Sequence, residues 1–302
     1  VESVHTLGSF INQLMNDWSF LILAAMGLAV IFGMMKVINL AHGEFIMIGA
    51  YLMTFGVNGL GLPFFMALIV AVCGTGLVGV IVDRLLISHL YGRTLDSVVV
   101  TWGLSMIIKQ GFLVLFGPSL NGFPMPLSTV EVFGSKMSEY MIVLFVISIL
   151  LIASMWFLFH HTSFGLDARA TIENAGIAES LGIDARRVYA ATFGLGSGLA
   201  GLCGALYAPV ISLTPNFGQS FLMQSFVTVI AGGAEPLVGT ALGGSALGVL
   251  QSILDVRVSS FFGLIGLLLA AIIIIRVMPG GFSSLVEKWG INRQVRKNEA
   301  AK

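Results

Sequence analysis

Charge is what this sequence has least of. Lysine plus arginine and aspartate plus glutamate each number 15 in 302 residues, 10% together, where a soluble domain carries about 25%. The net charge of zero leaves no electrostatic footprint for nucleic acid. Cysteine is nearly absent too: Cys73 and Cys203 each sit inside an apolar run, so neither a disulfide framework nor a thiolate metal cluster is available. Missing as well are a phosphate-cradling G-x-x-x-x-G-K-[ST] loop and the paired-histidine spacing of a zinc protease. "GLGSG" at 194–198 lies mid-span with no histidine and acid in reach, so it is no nucleophile elbow. These absences argue against catalysis, a metal site or a cofactor in this chain, and any nucleotide has to be bound by another one. Val1 is not followed by a basic n-region, so no cleavable signal peptide is expected.

What is there is apolar length. Hydrophobic residues make up 57% of the chain, and a helix needs about 20 of them in a row to cross roughly 30 Å of hydrocarbon. Suitable runs lie near 18–35, 40–58, 62–87, 97–117, 139–160 and 188–211, followed by shorter ones at 221–231, 237–254 and 259–278. The run at 221–231 is too short to cross alone and reads as a half-helix or re-entrant element. The fold class is therefore an all-α polytopic membrane protein with about eight to nine transmembrane or half-spanning helices. Its transmembrane domain covers 1–285, and 286–302 form a basic cytoplasmic tail.

With the N-terminus outside, the inner loops hold Lys36, Arg84, Arg93, Arg169, Arg186, Arg187, Arg276, Lys288, Arg293, Arg296, Lys297 and Lys302, and the outer loops only Lys136 and Arg257. That bias follows the positive-inside rule. Lys109 is left over inside the fourth span, where it either snorkels outward or meets a carboxylate such as Asp255.

Glycine, at 37 residues, clusters as "GLGSGLAGLCGAL" and "GGAEPLVGTALGGSALG", the small-xxx-small ridges that let membrane helices approach closely. In "AGGAEPLVG", Gly232, Gly233 and Pro236 break a helix at a defined point and are the candidate hinge. A second interruption falls around 39–49, and paired interruptions in the two halves of a chain point to a two-half internal repeat, although no residue identity links them.

Polar residues inside spans are the remaining signal. In "VINLAHGEFIMIGAY", Asn39 is placed to cap a helix beginning near Leu40, with Glu44 in its first turn and His42 free to pair with Glu44 or a neighbouring span. Two readings stand: capping and interhelix bonding, or a conduit or gate. "TWGLSMIIKQG" contributes Thr101, Trp102 and Ser105, and "PNFGQSFLMQSF" contributes Gln219 and Gln224, either as stitches between helices or as a pore wall for a small polar solute. These eight residues are the candidate translocation pathway.

One hydrophilic stretch interrupts the spans, "HHTSFGLDARATIENAGIAESLGIDARRVY" at 160–189. Its patchy apolar face, Gly182 stop and Asp184 restart describe a short amphipathic helix on the cytoplasmic side. It suits either insertion into a groove of a soluble partner or lying on the headgroups.

"GLAVIFGMMKVINLAHGEFIMIGAY", "ARATIENAGIAESLGIDARRVYAATFGLGSGLAGLCGALYA" and "VIAGGAEPLVGTALGGSALGVLQSIL" are collinear, and over residues 18 to 282 the chain resembles the permease subunits of ABC importers for branched-chain amino acids, short amides and urea. "LYGRTLDSVVVTWGLSMIIKQ" and "PNFGQSFLMQSF" look most like the urea-type permease. Glu235 departs from the family, which more often has a small or neutral residue there. The resemblance implies a multi-pass protein of the bacterial inner membrane, embedded in lipid and paired with a second homologous permease. It implies, too, two cytoplasmic ATPase subunits that hydrolyse ATP and a periplasmic or extracellular solute-binding protein that delivers the solute. It also implies a coupling segment within 162–188, with Arg169, Ala170, Glu173, Asn174, Ala178, Leu181 and Gly182 as candidate ATPase contacts. Urea or a short amide is the expected solute, because neutral hydroxyls and amides can pass it without a fixed counter-charge. A branched-chain amino acid importer is the alternative, and a stand-alone channel or secondary carrier the third reading.

Overall fold

The computed structural model describes residues 2–132, 135–233 and 235–284; the expected basic tail, 286–302, lies outside the described residues. Eleven α-helices appear among them: α1 (Glu2–Met35), α2 (His42–Thr54, continued by a π-helical turn, Phe55–Gly59), α3 (Phe64–Leu85), α4 (Thr94–Phe116), α5 (Glu139–His161), α6 (Ser163–Glu173), α7 (Ala175–Ser180), α8 (Ala185–Tyr207), α9 (Phe217–Gly232), α10 (Pro236–Arg257) and α11 (Ser260–Val277). A small antiparallel hairpin, β1 (Thr129–Val132) and β2 (Ser135–Ser138), precedes α5 and pairs Thr129 with Ser138.

Among the described residues seven helices are long and apolar enough to cross a membrane: α1, α3, α4, α5, α8, α10 and α11. Of the other four, α6 and α7 belong to the hydrophilic insert, and α2, with 13 residues, and α9, with 16, are short apolar helices. In both, the boundary differs from the one expected. The run expected at 40–58 is helical over 42–59, entered from the non-helical 36–41 and ending in the π-helical turn, and the short element expected at 221–231 starts earlier, at Phe217, giving a helix of about 24 Å.

Contacts fix the helix directions. Phe20 of α1 meets Tyr207 of α8 ring to ring at 5.4 Å, while Gly27 lies against Gly196, so these two helices are antiparallel. Against α8, α3 also runs antiparallel, Val72 facing Gly198 and Val80 facing Gly194. Gln13 Nε2 donates to Asp255 at 3.1 Å and the Trp18 indole donates to Ser245 at 2.8 Å, which sets α10 antiparallel to α1. Gly232 packs on Gly239 and Thr228 on Gly243, so α9 returns beside α10 in the opposite sense. Together these directions bring Lys36, Arg84, Arg93, Arg186, Arg187 and Arg276 to one end of the bundle and leave Arg257 at the other. That excess of cations marks the first end as cytoplasmic.

The core lies where α1, α2 and α8 meet, with Ile22, Met26, Phe45, Met47, Ala200 and Cys203 fully buried. Backbone approach, which lipid neither drives nor opposes, holds it: a Cβ on Gly204 would strike the Ile46 carbonyl, and one on Gly49 would strike Gly201. By contrast α4 and α11 are scarcely covered, with Leu95, Ile107, Val114, Ile272 and Val277 exposed to the surroundings.

Candidate functional site

The polar residues flagged in the first half of the chain sit around a re-entrant backbone. After α1 ends, Lys36 takes φ 55° and the chain turns back into the protein without helical structure before α2 begins at His42. The His42 imidazole reaches the carbonyl of Ala24 at 2.9 Å, a point 11 residues, or about 16 Å, up α1 from its cytoplasmic end. The first turn of α2 therefore starts deep inside the membrane. Because a carbonyl can only accept, Nε2 of His42 carries the hydrogen.

Unwound backbone at that depth is tolerated only if its polar groups are paired, and the flagged residues do the pairing. The Leu40 N–H donates to the Thr101 hydroxyl at 3.1 Å, and that hydroxyl lies 2.7 Å from the Ser97 carbonyl as its own acceptor. The Ala41 N–H donates to Asn39 Oδ1 at 3.0 Å. Asn39 thus shapes the turn before the helix and does not cap it; the cap position is Ala41, with no side-chain bond. Glu44 does not pair with His42 but accepts the Ser105 hydroxyl at 2.7 Å. Among the described residues Asn39 Nδ2, His42 Nδ1 and Glu44 Oε2 have no hydrogen-bond partner, so the cluster keeps spare hydrogen-bonding capacity. Thr101→Val should leave the Leu40 N–H unpaired and cost about 1–3 kcal/mol, read as a lowered midpoint in detergent unfolding, while Thr101→Ser keeps the wild-type midpoint.

Of the eight pathway candidates, Asn39, His42, Glu44, Thr101 and Ser105 are brought together and buried. Trp102 and Gln219 are exposed, and Gln224 is half-buried. Gln110, Asn216 and Ser220 are exposed beside them, and uncovered amides on membrane-spanning surfaces suit a protein or water contact better than lipid. Two cavities open near this region. One of about 660 Å³ lies between the outer ends of α2 and α4 and is lined by Ile48, Tyr51, Phe55, Asn58, Phe112 and Phe116. A second, of about 300 Å³, is lined by Lys109, Gln110, Leu113, Pro118, Thr214, Pro215 and Asn216. Lys109 and Asp255 do not meet: Asp255 is held by Gln13 on the far side of α1.

The cytoplasmic insert is a helical elbow. Thr162 caps α6, accepting from Gly165 N at 3.2 Å; Asn174 breaks the helix and caps α7, accepting from Ile177 N at 3.1 Å. Gly182, at φ 91°, ends the unit, and Asp184 caps α8 through Arg187 N at 3.1 Å. Arg169, Glu173, Asn174, Leu181 and Gly182 are exposed and Ala170 is half-buried, but Ala178 is 1% exposed and turned inward, where its carbonyl accepts from Ile183 N. Ala178 is therefore a packing residue and not a contact surface. Leu166 and Ile177, absent from the candidates, stand 61% and 59% exposed, with Leu181 at 75%; a helical wheel drawn through the Asn174 break hides that they lie outside. Beside the elbow, Tyr91 donates to both oxygens of the buried Asp83 at 2.8 and 2.9 Å. Burial, then the Asp83 carboxylate, push its phenol above the ordinary value, so it remains a donor.

The expected break after α9 is present. Gly233 adopts φ 92° and packs on Gly280 and Gly281, Gly232 packs on Gly239, and Pro236 opens α10 at a position where its missing N–H costs nothing. The Phe282 N–H donates to the Ala231 carbonyl at 3.0 Å, tying this turn to the segment after α11.

Residues 10–278 match the family model described as branched-chain amino acid transport system / permease component. The chain is 25% identical over 291 residues to the high-affinity branched-chain amino acid transport system permease protein LivH of Salmonella typhimurium, covering 90% of this chain and 94% of that protein. LivH of Escherichia coli K12 is 25% identical over 299 residues with the same coverage, and BraD of Pseudomonas aeruginosa is 25% identical over 267 residues, 83% of this chain and 87% of BraD. No solved structure matches. Nothing among these matches points to the urea-type permease. The chain is a multi-pass transport subunit of the cytoplasmic membrane and belongs to the permease-component family of branched-chain amino acid transport systems.

Proposed function

We propose that the chain is the permease of an ATP-driven importer for branched-chain amino acids. In this reading it pairs with a second permease through the face bearing Trp102, Gln110, Gln219 and Ser220, and the solute moves between the two. Two cytoplasmic ATPases grip the coupling segment within 162–188, and an external solute-binding protein delivers the cargo. The observation that carries the reading is α6–α7: a rigid capped elbow at the cation-rich end that presents Leu166, Ile177 and Leu181 to the outside of the chain. Such a lever can pass closure of an ATPase pair into rocking of the helices. The turn at Gly232, Gly233 and Pro236 is the joint about which α9 and α10 would follow.

The amino acid solute is favoured over urea on two grounds. The relatives named above are branched-chain amino acid permease proteins, and the chain holds features a zwitterion uses, a fixed cation and helix N-termini inside the membrane. A stand-alone carrier is disfavoured because His42 and Glu44, the candidate relay groups, are tied to Ala24 and Ser105. The test is uptake of leucine and of urea into proteoliposomes holding the complex co-purified with this chain. ATP-dependent and binding-protein-dependent leucine uptake, unaffected by excess urea, is expected. Equal uptake by the chain alone without ATP would refute the importer reading.

A further inference from the structure

An ammonium group stands where the bundle opens outward. Lys109 lies seven residues before Phe116, the end of α4, hence about 10 Å below the outer rim. It borders the cavity of about 300 Å³ whose other polar walls are Gln110 and, from the segment leading into α9, Thr214 and Asn216. Pro118 and Pro215 sit in the same wall, and their fixed φ angles keep the lining in place.

A cation within a span persists where it meets an opposite charge or a water-filled path. Among the described residues the ion pairs are Arg93–Asp96 and Arg187–Asp184, so Lys109 has no carboxylate within bonding distance. The Glu44 carboxylate is engaged elsewhere, accepting the Ser105 hydroxyl at 2.7 Å. The cavity therefore offers one positive charge, ringed by neutral amide and hydroxyl groups, to something that enters it.

We propose that Lys109 holds the carboxylate of the passing amino acid in the outer half of the path, with Gln110 and Asn216 donating amide hydrogens and Thr214 its hydroxyl. This rests on the importer reading and adds to it the residue that separates an amino acid from a neutral amide, which brings no charge for Lys109 to hold. The site is open and carries a single point charge, so it captures without trapping, as conduction demands. Arginine, with its planar fork, grips a carboxylate through two bonds, so Lys109→Arg retains capture.

The experiment uses the whole importer in proteoliposomes, with leucine as the probe. Lys109→Met is expected to lower leucine uptake at least fivefold while Lys109→Arg retains more than half. Lys109→Cys, in a Cys73→Ser, Cys203→Ala background, shows the same loss. Treating that folded, assembled complex with a methanethiosulfonate reagent bearing an aminoethyl arm restores uptake; the sulfonatoethyl reagent does not. A loss smaller than fivefold, or equal effects of the two reagents, overturns the assignment. So does rescue of Lys109→Met by Glu44→Gln, because Lys109 then serves Glu44 and not the solute. Failure of the importer reading has a different signature: the unsubstituted complex itself shows no ATP-dependent uptake.

Discussion

Gly218→Val is expected to abolish recovery of a monodisperse protein, lowering its yield from membranes at least tenfold. Gly43 and Gly218 lie in the first turns of α2 and α9, and each one's added Cβ would strike the other's backbone carbonyl group. Nothing flexible stands between the two glycines. Overpacking a core costs typically about 1–3 kcal/mol where side chains can shift, and here only backbone is available to give way. Neither helix can slide clear. The α2 start is fastened by the His42 contact to Ala24 and the Leu40 contact to Thr101, and the α9 end is fastened by Gly233 against Gly280 and Gly281. Gly103→Val provides the comparison, since a Cβ there meets nothing within 4 Å; its yield and unfolding midpoint should match the parent. Equal yields for Gly218→Val and Gly103→Val would mean that α2 and α9 do not meet through these glycines.

The spans were legible because a bilayer demands long apolar runs, and α1, α3, α4, α5, α8, α10 and α11 all fall on them. The interruption around 39–49 was legible, but its form, a re-entrant turn, was hidden for the same reason. "VINLA" is as apolar as the helices around it, and hydropathy reports transfer to lipid, not which backbone groups are bonded. Its trace was the cluster of Asn39, His42, Thr101 and Ser105, visible as unusual residues but not as partners of Leu40, Ala24 and Glu44, since those partners come from other helices. Cap chemistry is local, so the Gly182 stop and the Asp184 restart could be read directly. Ala178 could not: whether a small residue faces in or out depends on the fold of the Leu181–Ile183 turn over it. The cavity beside Lys109 was invisible because one side of its wall, Thr214 to Asn216, comes from more than a hundred residues further along the chain.

Ile177→Glu combined with Leu181→Glu is expected to abolish leucine uptake and to lose the ATPase from the purified complex, with insertion and helical content unchanged. Both side chains are mostly exposed, at 59% and 75%, so their replacement removes little that holds the chain together. Burying two such side chains in a partner's groove is worth about 1.5–3 kcal/mol each, and each 1.4 kcal/mol is about a tenfold change in affinity. Removing them costs at least a hundredfold in ATPase binding before the added penalty of forcing two carboxylates into an apolar groove. Ala178→Glu separates docking from folding. It places a carboxylate at a site 1% exposed, beneath the turn closed by Ile183, and should lower the unfolding midpoint, which the double substitution leaves alone. Titrating purified ATPase onto the permease in nanodiscs reads the difference. An unchanged dissociation constant for Ile177→Glu/Leu181→Glu would place the motor somewhere other than α6–α7, because no other effect of those two substitutions offsets the loss of their apolar surface.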